Sequence, residues 1–152
     1  MYITTSRKPS QKTRRLAKFL SKVFLSIYEN RGKKSISEVV ARADSLGEKR
    51  VMIVKEHHGN PSVLSFISIG PRAEEWGWLD PEIRITVEEI PDPPEIDAEG
   101  VMLEGKDKEK YQHLFGFEKP DTDLLVEVII EGKEIKIKYN KKSFKMKILG
   151  NM

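Results

Sequence analysis

The chain has 152 residues, 38% of them apolar and 34% charged, the profile of a folded, highly charged protein rather than a disordered one. It has no cysteine, which excludes disulfides and thiolate metal sites, and no apolar run near the roughly 20 residues that cross a bilayer. The net charge of +3 conceals a division: residues 1–34 carry ten Lys and Arg against one Glu, residues 61–132 six against eighteen acids, and residues 133–152 seven Lys against one Glu. Such segregation points to a polyanion partner for the basic ends, with neutralisation inside the fold as the alternative. With no signal-peptide pattern, a cytoplasmic protein with no membrane partner is expected, monomeric when isolated.

In chain order, residues 2–6 read as a short strand and Arg7–Gln11 as a turn around Pro9, with Ser10 placed to cap a helix. Leu16, Phe19, Leu20, Val23, Phe24, Ile27 and Tyr28 recur at helical spacing, which predicts one helix reaching Tyr28 and ending at Asn30 and Gly32. Its opposite face carries Arg14, Arg15, Lys18 and Lys22. Ser35 and Glu38 have capping-box spacing and start a shorter helix through Leu46, closed by Gly47. Arg50–Lys55 and Val63–Ile69 read as strands joined through the turn at His57–Pro61, and Gly70-Pro71 stops the second.

The acidic stretch Glu74–Trp78 reads as a loop, in which Trp76 and Trp78 serve either core packing or docking of a protein partner. Ile83, Ile85 and Val87 alternate as a strand, and the prolines of residues 91–94 mark a linker. Asp107–Phe115 suits a helix. Leu124–Ile130 suits an interior strand, and Glu134–Tyr139 and Phe144–Leu149 suit a closing hairpin. The order is strand–helix–helix–strand–strand, then strand–loop–helix–strand–strand–strand. It implies a mixed α/β (α+β) fold of two similar halves, about 1–72 and 80–150, each a small sheet with helices. A single sheet with helices on one face is the alternative.

Two places carry chemistry. In the closing hairpin Lys136, Lys138, Lys145 and Lys147 alternate with apolar residues and share one face, either as an anion-binding surface or as protection of a sheet edge. At the start, Ser6, Arg7, Lys8, Ser10, Lys12, Thr13, Arg14, Arg15, Lys18 and Lys22 crowd cations and hydroxyls around a helix N-terminus. Backbone N–H groups there attract phosphate, Arg binds it bidentately and Lys supplies point charge. The plain alternative is a solvated basic face. The two surfaces together read as one track for a polyanion.

Enzymatic readings find little support. His57 and His58 are adjacent with no third ligand spaced to join them, His113 has no partner, and no glycine-rich phosphate loop is present. No catalytic group, metal site or cofactor is assigned.

The opening "TTSRKPSQKTRRLAKFL" resembles the start of the Brix domain family at Thr5, Ser6, Arg7, Pro9, Ser10, Thr13, Arg14, Leu16, Ala17, Lys18 and Leu20. The Arg31-Gly32 exit, the Gly59-Asn60-Pro61 turn and the Leu64–Pro71 stretch are compatible with it. The resemblance implies a single Brix domain over 1–152 and ribosomal RNA binding during subunit assembly, beside ribosomal or assembly proteins. It also implies two halves akin to the anticodon-binding domain of class II aminoacyl-tRNA synthetases. Lacking long extensions, the chain resembles the compact archaeal form, nearest the branch linked to small-subunit processing.

Overall fold

The computed structural model describes residues 1–151. Its elements are β1 (Tyr2–Thr5), α1 (Gln11–Val23), β2 (Ile27–Tyr28), α2 (Ile36–Ser45), β3 (Arg50–His57), β4 (Asn60–Ile69), β5 (Trp76–Thr86), β6 (Gly100–Glu104), α3 (Lys108–Phe115), β7 (Leu125–Glu131), β8 (Glu134–Tyr139) and β9 (Lys142–Asn151). The strands form one sheet in the order β2-β1-β3-β4-β5-β9-β8-β7-β6. No helix among the described residues is long and apolar enough to cross a membrane.

One connectivity occurs twice. β1 crosses over through α1 and α2 to its parallel neighbour β3, and β4 and β5 follow antiparallel. β6 crosses over through α3 to parallel β7, and β8 and β9 follow antiparallel. The last strands of the two runs, β5 and β9, pair antiparallel at the centre of the sheet, with Arg84 opposite Gly150 and Ile85 opposite Ile148.

Three local expectations change. The first helix ends at Val23, with Leu25 in the left-handed region (φ 51°), and the chain reverses so that Ile27 and Tyr28 form β2. Helical spacing continues through these two residues, but pairing wins: the Ile27 N–H donates to the Met1 carbonyl (3.0 Å) and that of Glu29 to the Ile3 carbonyl (3.2 Å). Trp76 and Trp78 lie on β5, not in a loop, and Ile83–Thr86 is the end of that strand, which closes the first run. The second run opens instead with β6, in a stretch read as loop.

The sheet has two differently furnished faces. On one face α1 and α3 bury a core that runs across both runs, from Ile3, Met52 and Phe66 to Val128, Ile137 and Met146. Phe19 of α1 joins the runs, its ring 5.4 Å from that of Tyr139 and 4.6 Å from that of Phe144. On the other face α2 lays Val39, Val40 and Ala43 over Tyr2, Val51, Ile53, Ile67 and Ile69. Between β5 and β6, residues 87–99 form a strap with six acids and no basic residue. Val87 and Ile90 anchor it in the core, and the Asn140 side chain donates to the Glu95 carbonyl at 2.6 Å.

Candidate nucleic-acid interface

The opening loop is held rigidly. Arg31, buried at 8% exposure, donates from Nη1 to the Thr5 carbonyl (3.0 Å) and from Nε to that of Lys34 (2.8 Å). It thereby ties the end of β1, where the loop begins, to residues 31–34. Burial, and then the nearby Arg7 charge, pull its pKa downward. Ser10 caps α1 as expected: its Oγ accepts from the Thr13 N–H at 3.2 Å.

The expected free anion site at this terminus is already taken. Glu56 of β3 accepts from the Ser10 N–H (2.9 Å) and from the Thr13 hydroxyl (2.5 Å). Burial alone would raise its carboxyl, but the bonds from Thr13 and Ser10 outweigh burial and hold it below its ordinary value. Thr13 is fully buried, the Ser6 hydroxyl is shielded from solvent, and the Ser10 hydroxyl donates to the Gly59 carbonyl at 2.8 Å. The hydroxyls of Ser10 and Thr13 therefore bond within the protein, while that of Ser6 is shielded without a hydrogen-bond partner. An internal carboxylate 46 residues away does what a phosphate was expected to do, and no local sequence signal announces it.

The cations stay outside. Arg7, Lys8, Arg14, Arg15, Lys18 and Lys22 are exposed, and Lys12 is half-buried, donating to Asn60 Oδ1 at 3.3 Å. Arg15 pairs with Asp92 of the strap at 2.8 Å, and Lys18 Nζ lies 5.8 Å from the centre of the Tyr28 ring. Lys12, Arg14, Arg15 and Lys18 form one wall of an open groove of about 920 Å³, whose other wall holds Glu88 and Glu89.

The lysine hairpin lies elsewhere. Ile135, Ile137, Tyr139, Phe144, Met146 and Ile148 face the α1 side, so the alternating Lys136, Lys138, Lys145 and Lys147 project from the opposite face. The single track expected from the sequence is not formed: the sheet separates the two basic groups. Edge protection does not apply at Lys136, Lys138 and Lys147, which are paired on both sides, whereas Lys145 lies in the stretch of β9 that pairs with β8 alone. Lys136 stands directly opposite Lys145, an unfavourable like-charge pair, while Lys147 stands opposite Glu134 and Lys145 Nζ approaches Glu134 at 3.8 Å. Beside them Leu125, Glu127, Lys136, Lys138, Lys141 and Lys142 line an open depression of about 440 Å³. Lys141 in the turn between the two lysine strands and Lys142 at the start of β9 carry no sequence signal that sets them apart.

The Trp pair sits on this same face nearer the centre. Trp76 packs against the residues beneath α2, and Trp78 is 44% exposed with Lys55 Nζ at 5.1 Å from its ring. Lys55 also pairs with Glu82 at 2.9 Å, and the Ser65 hydroxyl donates to Glu82. Bonding from Ser65 and Lys55 keeps that carboxyl low despite its burial.

No protein-family model matches the chain. A protein of Methanosarcina mazei named a probable Brix domain-containing ribosomal biogenesis protein is 35% identical over 162 aligned positions, which take in 99% of this chain and 98% of that one. The chain belongs to the Brix domain family. Proteins of the same name from Thermococcus kodakarensis and Pyrococcus furiosus are 40% and 41% identical over 80 residues, 52% of this chain. Those Brix proteins are longer, and the match spans 38% and 35% of their length. Two crystal structures share the fold. A probable ribosomal biogenesis protein from Aeropyrum pernix superposes with a TM-score of 0.75 at 20% identity, over 97% of this chain and 92% of that one. The archaeal Imp4-like protein Mil gives 0.71 at 25% identity, over 100% and 99%. The Brix domain of this chain is thus a mixed α/β sheet of the kind these proteins share.

Proposed function

We propose that this chain is a non-enzymatic, ribosomal-RNA-binding factor of ribosome biogenesis that assists precursor RNA processing and subunit assembly in the cytoplasm. One observation carries the reading. The duplicated connectivity supplies an internal comparison: in the first run α2 covers an apolar patch of the outer sheet face on β1, β3 and β4, whereas in the second run the same face bears Lys136, Lys138, Lys145 and Lys147 and no helix among the described residues covers it. Lys136, Lys138 and Lys147 are flanked by strands on both sides and have no edge to protect, so lysines there suit a polyanion. The exposed cations of the opening loop and α1 form the second surface, and both are suited to phosphate rather than to base edges.

We read the chain as one Brix domain with two similar halves akin to class II anticodon-binding domains, acting as a monomer. RNA segments lie on opposite sides of its sheet, and ribosomal or assembly proteins dock at the exposed Trp78 and the acidic middle. Arg14→Ala with Arg15→Ala tests the α1 surface by fluorescence anisotropy on precursor ribosomal RNA. Affinity should fall, and the slope of log K against log salt should flatten by about 1.4–1.8 for two lost phosphate contacts. Unchanged affinity and slope overturn the α1 assignment. Pull-downs that keep every partner after ribonuclease digestion favour a protein adaptor instead.

A further inference from the structure

The acidic strap and the basic face of α1 form a groove whose walls carry opposite charge without closing on each other. On one wall are Lys12, Arg14, Arg15 and Lys18; on the other, Glu88 and Glu89. Only Arg15 and Asp92 meet, at 2.8 Å, with side chains 54% and 85% exposed, so the pair is weak and readily exchanged. Among the described residues Glu88, Glu89, Arg14 and Lys18 form no ion pair, although all four are exposed.

The strap cannot drift away to relieve the carboxylates or collapse to satisfy them. Val87 and Ile90 are buried, Ile96 and Ala98 pack against the core, and Asn140 holds the backbone at Glu95 and at Asp97 (3.5 Å). Pro91, Pro93 and Pro94 restrict the chain between these anchors. Carboxylates are thus presented to the cations at a fixed distance, where they lower the local positive potential without neutralising it.

Resting on the reading of α1 as a phosphate-binding surface, we propose that the strap is a built-in competitor for polyanions. Asp92 occupies Arg15 until a phosphate displaces it, while Glu88 and Glu89 repel anions that enter the groove. Discrimination follows from repulsion: a polyanion that offers only charge binds weakly, and one held by further contacts on the protein displaces the strap.

Heparin, a polyanion that is not RNA, is the first probe. Two variants each remove three negative charges: Glu88→Gln, Glu89→Gln, Asp92→Asn in the strap, and Glu109→Gln, Glu118→Gln, Asp123→Asn away from the groove. All six positions are exposed, and matching thermal melts confirm the fold. The strap variant should leave immobilised heparin at distinctly higher salt than the control variant and bind it in solution about three- to tenfold more tightly. Arg15→Ala should matter little in the natural sequence and more in the Asp92→Asn background. Equal elution of the two variants, or an Arg15 effect independent of Asp92, overturns the proposal. Precursor ribosomal RNA is the second probe. If the strap variant gains on heparin while no form of the protein binds RNA, the strap proposal stands and the RNA reading falls.

Discussion

Replacing Lys136, Lys138, Lys145 and Lys147 together by Gln removes four charges from one sheet face and keeps side chains that cover the strands. All four project away from the core, and none belongs to the buried cluster beneath α1 and α3. If each holds one phosphate, the slope of log K against log salt falls by about 2.8 on single-stranded RNA and about 3.6 on duplex. Between 50 and 200 mM salt that difference corresponds to about a 50- to 150-fold smaller loss of affinity. Stability should change little, because relief of the like-charge pair Lys136 and Lys145 is offset by loss of the opposite-charge pairs Lys147 with Glu134 and Lys138 with Glu127, each about 0.2–1 kcal/mol. Anisotropy titrations with precursor ribosomal RNA at five salt concentrations give the slope, and thermal melts give the stability. An unchanged slope refutes the assignment of this face to RNA. A lowered melting temperature with a normal slope would show that the lysines serve the sheet.

Phe19→Ala should cost about 3–5 kcal/mol, because the ring is fully buried and touches Tyr139 and Phe144 of the other run. Tryptophan fluorescence reports only the first run, through Trp76 and Trp78, and far-ultraviolet circular dichroism reports both; their denaturation curves should shift together, and separated curves would show that the runs fold independently. Glu29 accepts from both Nε (2.9 Å) and Nη2 (2.8 Å) of Arg42 and from the Tyr2 hydroxyl (2.9 Å). The Arg42 bonds foremost, against some desolvation, hold its carboxyl at about 2, below its ordinary 4.5. A carboxyl lowered by folding stabilises the protein above about pH 4.5 and loses that contribution as pH falls towards 2. Glu29→Gln should therefore lower the urea midpoint at pH 7 and flatten its decline between pH 4.5 and 2; parallel acid limbs for the two proteins would contradict the pairing.

Much of this architecture was legible in local sequence. Ser10 and Ser35 announced the starts of α1 and α2, and the alternation in 134–149 told which residues share a face. It did not tell which face a helix would cover, because alternation fixes relative orientation within a strand and not its place in a sheet. The lysines thus suited an edge or a track shared with α1; strand order removes the first for Lys136, Lys138 and Lys147, and the face that α1 covers removes the second. Helical spacing ran on through Ile27 and Tyr28, where a reversal at Leu25 and an unpaired side of β1 prevailed. β6 is only five residues long and mixes Gly, Met and Glu, which gave no period to recognise. The opening motif was found for its charge and hydroxyls, yet half of its meaning is internal, since Glu56 answers Ser10 and Thr13 from another strand.

The meeting of β5 with β9 has a mechanical consequence. Because the last strand of each run hydrogen-bonds the other, the two basic surfaces are fastened to a single continuous sheet. One surface rides on the outside of α1 and the other stands on the far side of the sheet, so a helix and a sheet, on the order of 20 Å of packed protein, always lie between them. Ligands held on the two sides at once would be kept at a set separation that binding cannot compress.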